Sequence, residues 1–268
     1  MTKVRPLLLA AGLGTRLRPL TEFCPKCLVP IGGIPLLEHW LCNLYRLGIR
    51  DVWVNVHHHK DLVTEFLGRA NFAEWVHPVY EPTLLGTAGT VRANADKLSH
   101  DTTFLIHADN WCQCNFSDFV EFHCQRRPAR TLMTMMTFRT PKPQACGIVA
   151  VDADGVVTDF YEKVPNPPSN LANGAVYLIE PDVVQWIKKR TEVTDFSTHV
   201  IPEFLGRIAT WENTEIHRDI GVIGSLLEAQ GDLFPEPCWR AQDEWTRKYQ
   251  KHSVHRRIGN ALSVETSV

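Results

Sequence analysis

Short apolar runs alternate with stretches of helical period along the first half of the chain. Leu7-Leu-Leu-Ala10 is an apolar run ending in a glycine-rich loop, the pattern of a buried strand. Over residues 35–47 the period changes. Leu36, Leu37, Trp40, Leu41, Leu44 and Leu47 fall on one face, Pro35 suits the first turn and Gly48 the exit, which predicts a helix. Val52, Val54 and Val56 then alternate in "DVWVNV" as a strand, a helix pattern follows over 60–67, and "WVHPVY" is again a strand. Beyond it lie a helix over 88–98, a buried strand in "TFLIHA", a helix over 116–126 with Asn115 as N-cap, and a strand in "TLMTMMTF". Repeated strand–helix alternation predicts an α/β fold with a mostly parallel central sheet covered on both faces. Ligands of such sheets bind beyond the carboxyl ends of the strands, so the loops after Ala10, Tyr80 and Ala108 are expected to share one crevice.

The second half reads differently. "GIVAVDADGVVTDFYEK" has the pattern of a hairpin turning at Asp154-Gly155, "GAVYLI" is a further strand, and a helix is expected over 181–190. No linker, internal repeat or low-complexity stretch interrupts the chain, so both halves are expected to share one sheet in a single domain over 1–235. Residues 236–268 form a tail. After Pro235-Glu-Pro237 it carries Arg240, Arg247, Lys248, Lys251, Arg256 and Arg257 against Asp243 and Glu244, with Trp239, Trp245 and Tyr249 interleaved. A helix packed on the domain is the first reading and a homo-oligomer contact the alternative. The last ten residues read as a frayed end.

Composition narrows the function classes. The 268 residues are 44% hydrophobic and 22% charged, an ordinary globular balance. A net charge of −2 supplies no global field for nucleic acid, so a phosphate-bearing ligand would be held by local groups. No apolar run approaches the roughly 18–20 residues of a membrane span. The apolar run after the basic N-terminus is too short for a secretory segment, so a cytoplasmic setting is expected. Eight cysteines without a secreted-type framework are expected to be reduced thiols. Cys24 and Cys27 form a C-x-x-C pair that could in principle join Cys112 and Cys114 around zinc, though pairs outside a ribbon-type spacing are mostly incidental. The run His57-His58-His59 invites a metal reading too, but consecutive side chains do not point one way.

The candidate chemistry starts in "AAGLGTRLRPL". Gly12-Leu-Gly14 directly after a strand lets backbone N–H groups approach a phosphate closely. A dinucleotide fingerprint would need a third glycine where Leu17 stands, and no Gly-Lys-Ser/Thr follows as in a Walker loop. Arg16, Arg18 and Lys26 follow instead, a density of cations that suggests a polyphosphate site.

From these residues on, the chain resembles a known family. "LLAAGLGTRLRPLTEFCPKCLVPIGGIPLLEH" is similar to the signature of the sugar-1-phosphate nucleotidyltransferases, including the mannose-1-phosphate guanylyltransferases. The likeness continues in order through "EPTLLGTAGTV", "HADN", "CGIVAVD", "GVVTDFYEKVP", "NGAVYLI" and "HRDIGVIGSLLEA". It implies a Rossmann-like three-layer sandwich of the nucleotide-diphospho-sugar transferase type. The implied reaction joins a nucleoside triphosphate and a sugar 1-phosphate with loss of pyrophosphate. By resemblance, Arg16 and Lys26 are catalytic. Leu9, Ala11, Gly12, Gly14, Thr15 and the loop Gly86-Thr87-Ala88-Gly89 join them in binding the nucleotide, that loop reading the base through backbone groups. Gly147, Glu162, Lys163, Asn173 and Gly174 take the sugar phosphate, and Asp109 and Asp219 hold Mg2+. Arg18 serves equally well as a loop-shaping residue. His107 reads as a buried strand-end histidine rather than a base. Three departures stand out: Ala108 before the first Asp, Val164 inside the Glu-Lys-Pro triplet, and Ala11 where a third glycine is common. None removes a charge. "LLGTAG" resembles the guanylyltransferase branch, which favours GTP with mannose 1-phosphate or a related manno-configured sugar. The alternative is dTTP or UTP with a glucose-type phosphate. A catalytically silent regulatory subunit would be expected to lack one of Arg16, Lys26, Asp109 or Asp219, and all four are present.

Overall fold

A computed structural model describes residues 3–239 and 243–265. Arg240 of the basic tail and the last three residues of the expected frayed end lie outside the described residues. In chain order, β1 (Val4–Leu9) is followed by β2 (Pro30–Ile31), β3 (Ile34–Pro35), α1 (Leu36–Arg46), β4 (Val52–Val56), α2 (Lys60–Leu67) and β5 (Val76–Tyr80). Next come α3 (Thr87–Ala93), α4 (Ala95–Leu98), β6 (Thr102–His107), β7 (Asn110–Gln113), α5 (Phe116–Glu121) and β8 (Met133–Arg139). Then follow β9 (Gly147–Val151), β10 (Val157–Glu162), β11 (Leu171–Ile179), α6 (Pro181–Lys188), β12 (Ile208–Glu212) and β13 (Ile216–Asp219). The chain closes on α7 (Ile223–Gln230), α8 (Glu244–Gln250) and α9 (Ser253–Glu265).

Two compact units are formed. The loop unit comprises Leu8–Thr83, Ala108–Cys112 and Arg218–Val268; the sheet unit comprises Met1–Leu7, Leu84–His107 and Gln113–His217. In the loop unit β4 and β5 pair in parallel, Val52 opposite Val76 and Val56 opposite Tyr80. The alternating Val52, Val54 and Val56 are buried as the period-2 pattern requires. On α1 the stripe Leu36, Leu37, Trp40, Leu41 and Leu44 is at most 2% exposed. Each such side chain contributes about 1.5–3 kcal/mol of burial, which outweighs the weak local preference of an 11-residue helix.

The sheet unit explains how both halves of the chain come to share a sheet. β11 runs antiparallel to β6 and β8, while β12 runs parallel to β8. Strands β6, β8 and β12 therefore point one way, with β11 reversed between β6 and β8. The expected hairpin is present: β9 and β10 pair antiparallel, with Val157 opposite Val151. The architecture is mixed α/β around a mostly parallel central sheet, of the Rossmann-like kind.

Helix boundaries differ from the expected ones for local reasons. The span 88–98 breaks into α3 and α4 at Asn94, whose side-chain amide donates to the Thr90 carbonyl (3.0 Å) and competes with helix continuation. Asn115 does cap α5, its Oδ1 accepting from the Asp118 N–H at 3.1 Å, but beyond Glu121 the helix loosens into a π turn over Phe122–Arg126. In the tail, Asp243 caps α8, and Tyr249 is buried with its hydroxyl donating to the Leu28 carbonyl at 2.5 Å.

One cysteine expectation is overturned. Cys42 on α1 and Cys238 form a disulfide, with Cα atoms 5.6 Å apart across a sequence separation of 196. No local spacing marks two partners so distant; only the folded backbone brings them together. Arg46, one turn along α1, donates to the Glu236 carbonyl, and Trp239 packs edge-on to Tyr45 and Phe72. Closing so long a loop restricts the unfolded chain, so Cys238→Ser should lower unfolding free energy by about 2–4 kcal/mol in denaturant titrations without reductant. Equal midpoints for variant and parent would show that the bridge does not form.

Candidate active site

The glycine loop leaves β1 and is held by a buried amide. Asn55 Oδ1, on β4, accepts from the N–H of Ala10 (2.6 Å) and of Ala11 (3.1 Å). Its Nδ2 donates to Glu81 Oε1 at 3.1 Å, so the loops after β1 and β5 meet on one side chain. Farther along, Gly14 adopts φ +61°, and a Cβ there would lie 2.8 Å from Thr21 Cγ2 and 3.2 Å from Lys26 Cβ. Backbone conformation and crowding both demand glycine at this turn. Thr21 Oγ1 closes it by donating to the Gly14 carbonyl (2.9 Å). The three histidines serve the same scaffold. His58 and His59 each bring Nε2 to 3.1 Å from the Thr21 carbonyl, and His57 Nδ1 lies 2.8 Å from the Glu81 carbonyl.

Pro25 is extended (φ −61°, ψ 146°) and leads into a single 3-10 turn over Lys26–Leu28 that turns Lys26 inward. The side chain is only 6% exposed. Its Nζ donates to Asp109 Oδ2 at 3.0 Å and to Asp219 Oδ1 at 2.9 Å. Arg16 Nη2 donates to the other oxygen of Asp219 at 3.0 Å. Asp109 follows Ala108, whose N–H donates to the Leu9 carbonyl (3.1 Å), and Asp219 ends β13. The loops after Ala10, Tyr80 and Ala108 are thus joined in one unit, as the strand pattern implied.

Two opposed effects act on each charge. Burial pushes the Lys26 ammonium toward neutrality, but Asp109 and Asp219 outweigh it and hold the pKa above the usual lysine value. Burial likewise raises the Asp219 carboxyl, yet Lys26 and Arg16 prevail and keep it below the usual carboxylate range. Asp219 and Arg16 remain open outward, at 47% and 68% exposure.

The other expected site residues belong to the sheet unit. Gly147 stands opposite Glu162 in the β9–β10 register, and a Cβ on it would lie 2.7 Å from Glu162 Oε2. Ala172 pairs with Ile148, which brings Asn173 and Gly174 to the same end of the sheet. Asn173 Nδ2 donates to the Tyr177 hydroxyl (2.6 Å), and Lys163 Nζ pairs with Glu162 Oε1 at 2.8 Å. In the 86–89 loop, the N–H groups of Ala88 and Gly89 donate to the Thr194 carbonyl at 3.0 and 3.2 Å. These two amides are committed to the fold.

The model of the nucleotidyl transferase family matches residues 5–234. The chain belongs to the nucleotidyl transferase family. Membership makes it a nucleotidyltransferase enzyme. Among curated proteins, a mannose-1-phosphate guanylyltransferase of Mycobacterium tuberculosis is 29% identical over 89% of this chain and 68% of its own length. A mannose-1-phosphate guanylyltransferase catalytic subunit beta of Drosophila melanogaster is 31% identical over 74% of this chain. The chain spans only about half of that relative's length (54%). A Bacillus anthracis protein described as a glucose-1-phosphate thymidylyltransferase, crystallised with sucrose, shares the fold with a TM-score of 0.75 at 22% identity. That likeness covers 88% of this chain and 98% of the other.

The donor set of this nucleotidyltransferase fits a hard cation. Two carboxylates converge, and a cation, the Lys26 ammonium, already lies within hydrogen-bonding distance of both. Among the described residues no group of three or more His, Cys, Asp and Glu forms a closed cage. An open pair of carboxylates, to be completed by water and substrate phosphates, is the arrangement Mg2+ accepts. The thiols beside Lys26 offer zinc little. Cys24 and Cys27 are buried, and burial pushes both up, Cys24 to about 12, whereas the thiolate is the metal ligand.

Sequence reasoning missed Asn55, Thr21 and Gly221. A Cβ on Gly221 would lie 2.7 Å from Arg16 Nη2 and 2.9 Å from Asp219 Oδ1, so a side chain there would displace the guanidinium and the carboxylate from this arrangement. Asn55 carried a signal, a polar residue inside an apolar strand, because a buried amide must be satisfied by a specific partner.

The charge balance yields a pH prediction. Stability from the Asp219 contacts is complete above the ordinary aspartate value of about 3.9 and is lost as pH falls through the lower folded value. Replacing Lys26→Met removes one counterweight to burial, so the Asp219 carboxyl should titrate at higher pH than in the parent, read by carboxyl carbon NMR. An unmoved titration would show that Lys26 does not hold this carboxylate.

Proposed function

We propose that the chain is a sugar-1-phosphate nucleotidyltransferase that takes GTP and mannose 1-phosphate, or a related manno-configured sugar, and releases pyrophosphate. The observation that carries this reading is the convergence of Lys26 Nζ on Asp109 and Asp219, with Arg16 on the outer oxygen of Asp219. A buried cation beside two open carboxylates and an exposed guanidinium suits a polyphosphate substrate. A phosphate oxygen of the sugar 1-phosphate attacks the α-phosphorus, and pyrophosphate leaves from the opposite side. The attacking group is already anionic, so no general base is needed. Positioning and charge neutralisation supply the rate.

Arg16, exposed and forked, binds the β- and γ-phosphates of the leaving pyrophosphate. Lys26 follows the charge that develops at the α-phosphate. Asp109 and Asp219 would hold Mg2+, which when bound neutralises charge on the α-phosphate and the sugar phosphate. In the sheet unit, Glu162 accepts from sugar hydroxyls, and Lys163 leaves its pair with Glu162 to take the sugar phosphate. The choice of guanine is supported by the "LLGTAG" loop and by the guanylyltransferases among the relatives. We place the reaction in the cytoplasm, where nucleoside triphosphates and Mg2+ are supplied together.

Two measurements test this. Pyrophosphate release from each of GTP, dTTP, UTP, ATP and CTP against mannose and glucose 1-phosphates should be fastest for GTP with the manno sugar. Turnover with another triphosphate and none with GTP would overturn the base assignment. Lys26→Ala should lower kcat by about 10²–10³, the loss typical of removing one transition-state charge partner, with near-parental circular dichroism. A near-normal kcat would remove Lys26 from the machinery.

A further inference from the structure

Asp109 and Asp219 come from different stretches of the chain, yet one further carboxylate is bonded beside both. Asp232 follows the end of α7 and is 11% exposed. Its Oδ2 accepts from Arg218 Nε at 2.8 Å and from Trp111 Nε1 at 2.9 Å. Its Oδ1 accepts from Arg218 Nη2 at 2.9 Å, completing a bidentate charge-assisted pair. Arg218 immediately precedes Asp219, and Trp111 stands two residues after Asp109. A single oxygen therefore links the segments that carry the two acids.

The surroundings leave this link little play. Trp111 is fully buried, edge-on to His39 with centroids 4.8 Å apart, so its indole has no room to follow a displaced acceptor. Trp40 Nε1 donates to the Asn110 carbonyl at 2.9 Å, fixing the backbone between Asp109 and Trp111. Neutralising Arg218 does not by itself require Asp232, because Glu228 Oε2 also accepts from Arg218, at 3.0 Å. What Glu228 does not provide is the bond to Trp111.

We propose that Asp232 is a positioning residue for nucleotidyl transfer: through Trp111 and Arg218 it sets the separation of Asp109 and Asp219, and so the gap in which a divalent cation is held. This rests on the reading of that pair as the metal-binding acids. Residues that orient metal ligands from outside cost about 10–100-fold in metal affinity or activity when altered.

The test uses the full chain, Mg2+-dependent kinetics, and direct Mn2+ binding with GTP but no sugar phosphate, read by electron paramagnetic resonance. Asp232→Asn should weaken Mn2+ binding about 10–100-fold and raise the Mg2+ concentration for half-maximal rate by a similar factor. The KM for GTP at saturating Mg2+ should stay within about twofold, since uniform substrate binding is untouched. Trp111→Phe keeps the ring and loses one N–H, and should move both metal readouts the same way by a smaller factor. Trp111→Phe should cost less in the Asp232→Asn background than in the parent, because the two variants share the Oδ2 link. If Asp232→Asn does not fold, Trp111→Phe carries the comparison. A lowered Tm with unchanged Mn2+ affinity and Mg2+ midpoint would overturn the inference, as would additive effects in the double variant. Absence of turnover with every triphosphate would instead overturn the proposed function, while the Mn2+ comparison would still decide the role of Asp232.

Discussion

A lysine ammonium buried to 6% exposure is the constraint around which the loop unit is organised. Removing such a charge from water costs several kcal/mol, and leaving it without a partner would cost about 3–5 kcal/mol. Asp109 and Asp219 offset that cost from sequence separations of 83 and 193. Three distant stretches must therefore arrive together before Lys26 can be buried. The carboxylates stay open outward while the cation lies beneath them, so the polar cluster keeps an accessible side without exposing its lysine.

Buried polar groups around the cluster are given defined partners. Asn55 satisfies two backbone N–H groups at the start of the glycine loop and joins it to Glu81. Thr21 closes the turn at Gly14 and, through its carbonyl, takes His58 and His59. Polar networks of this kind rigidify a site when fully satisfied. The loop thus reaches Arg16 and Lys26 from an anchored base.

The C-terminal tail supports the same loop. The Tyr249 hydroxyl donates to the Leu28 carbonyl in the turn that carries Lys26. Arg69 donates to Glu38 on α1 and to Asp243 at the start of α8, each at 2.8 Å. The Cys42–Cys238 bridge fixes where this tail begins. Its basic and aromatic residues are in part internal contacts: Tyr249 is buried and stacks on Trp245.

Much of this was legible in the chain itself. Period-2 valines mark β4 and the leucine stripe marks α1, because each signal is local and burial enforces it; the glycine–arginine–lysine order of the first loop marks the turn at Gly14 and the two cations that meet Asp219. The motifs single out Arg16, Lys26, Asp109 and Asp219, which the fold joins through hydrogen bonds of 2.9–3.0 Å. Only the tertiary structure decided what lay between motifs: the break at Asn94, the Cys42–Cys238 pairing, the amides of Ala88 and Gly89 committed to Thr194, and the joint acceptor role of Asp232. Each depends on which group stands within about 3 Å of another across a long stretch of chain, at normal hydrogen-bond length. Periodicity records which face of an element is buried, but it holds no information about which distant partner that face will meet.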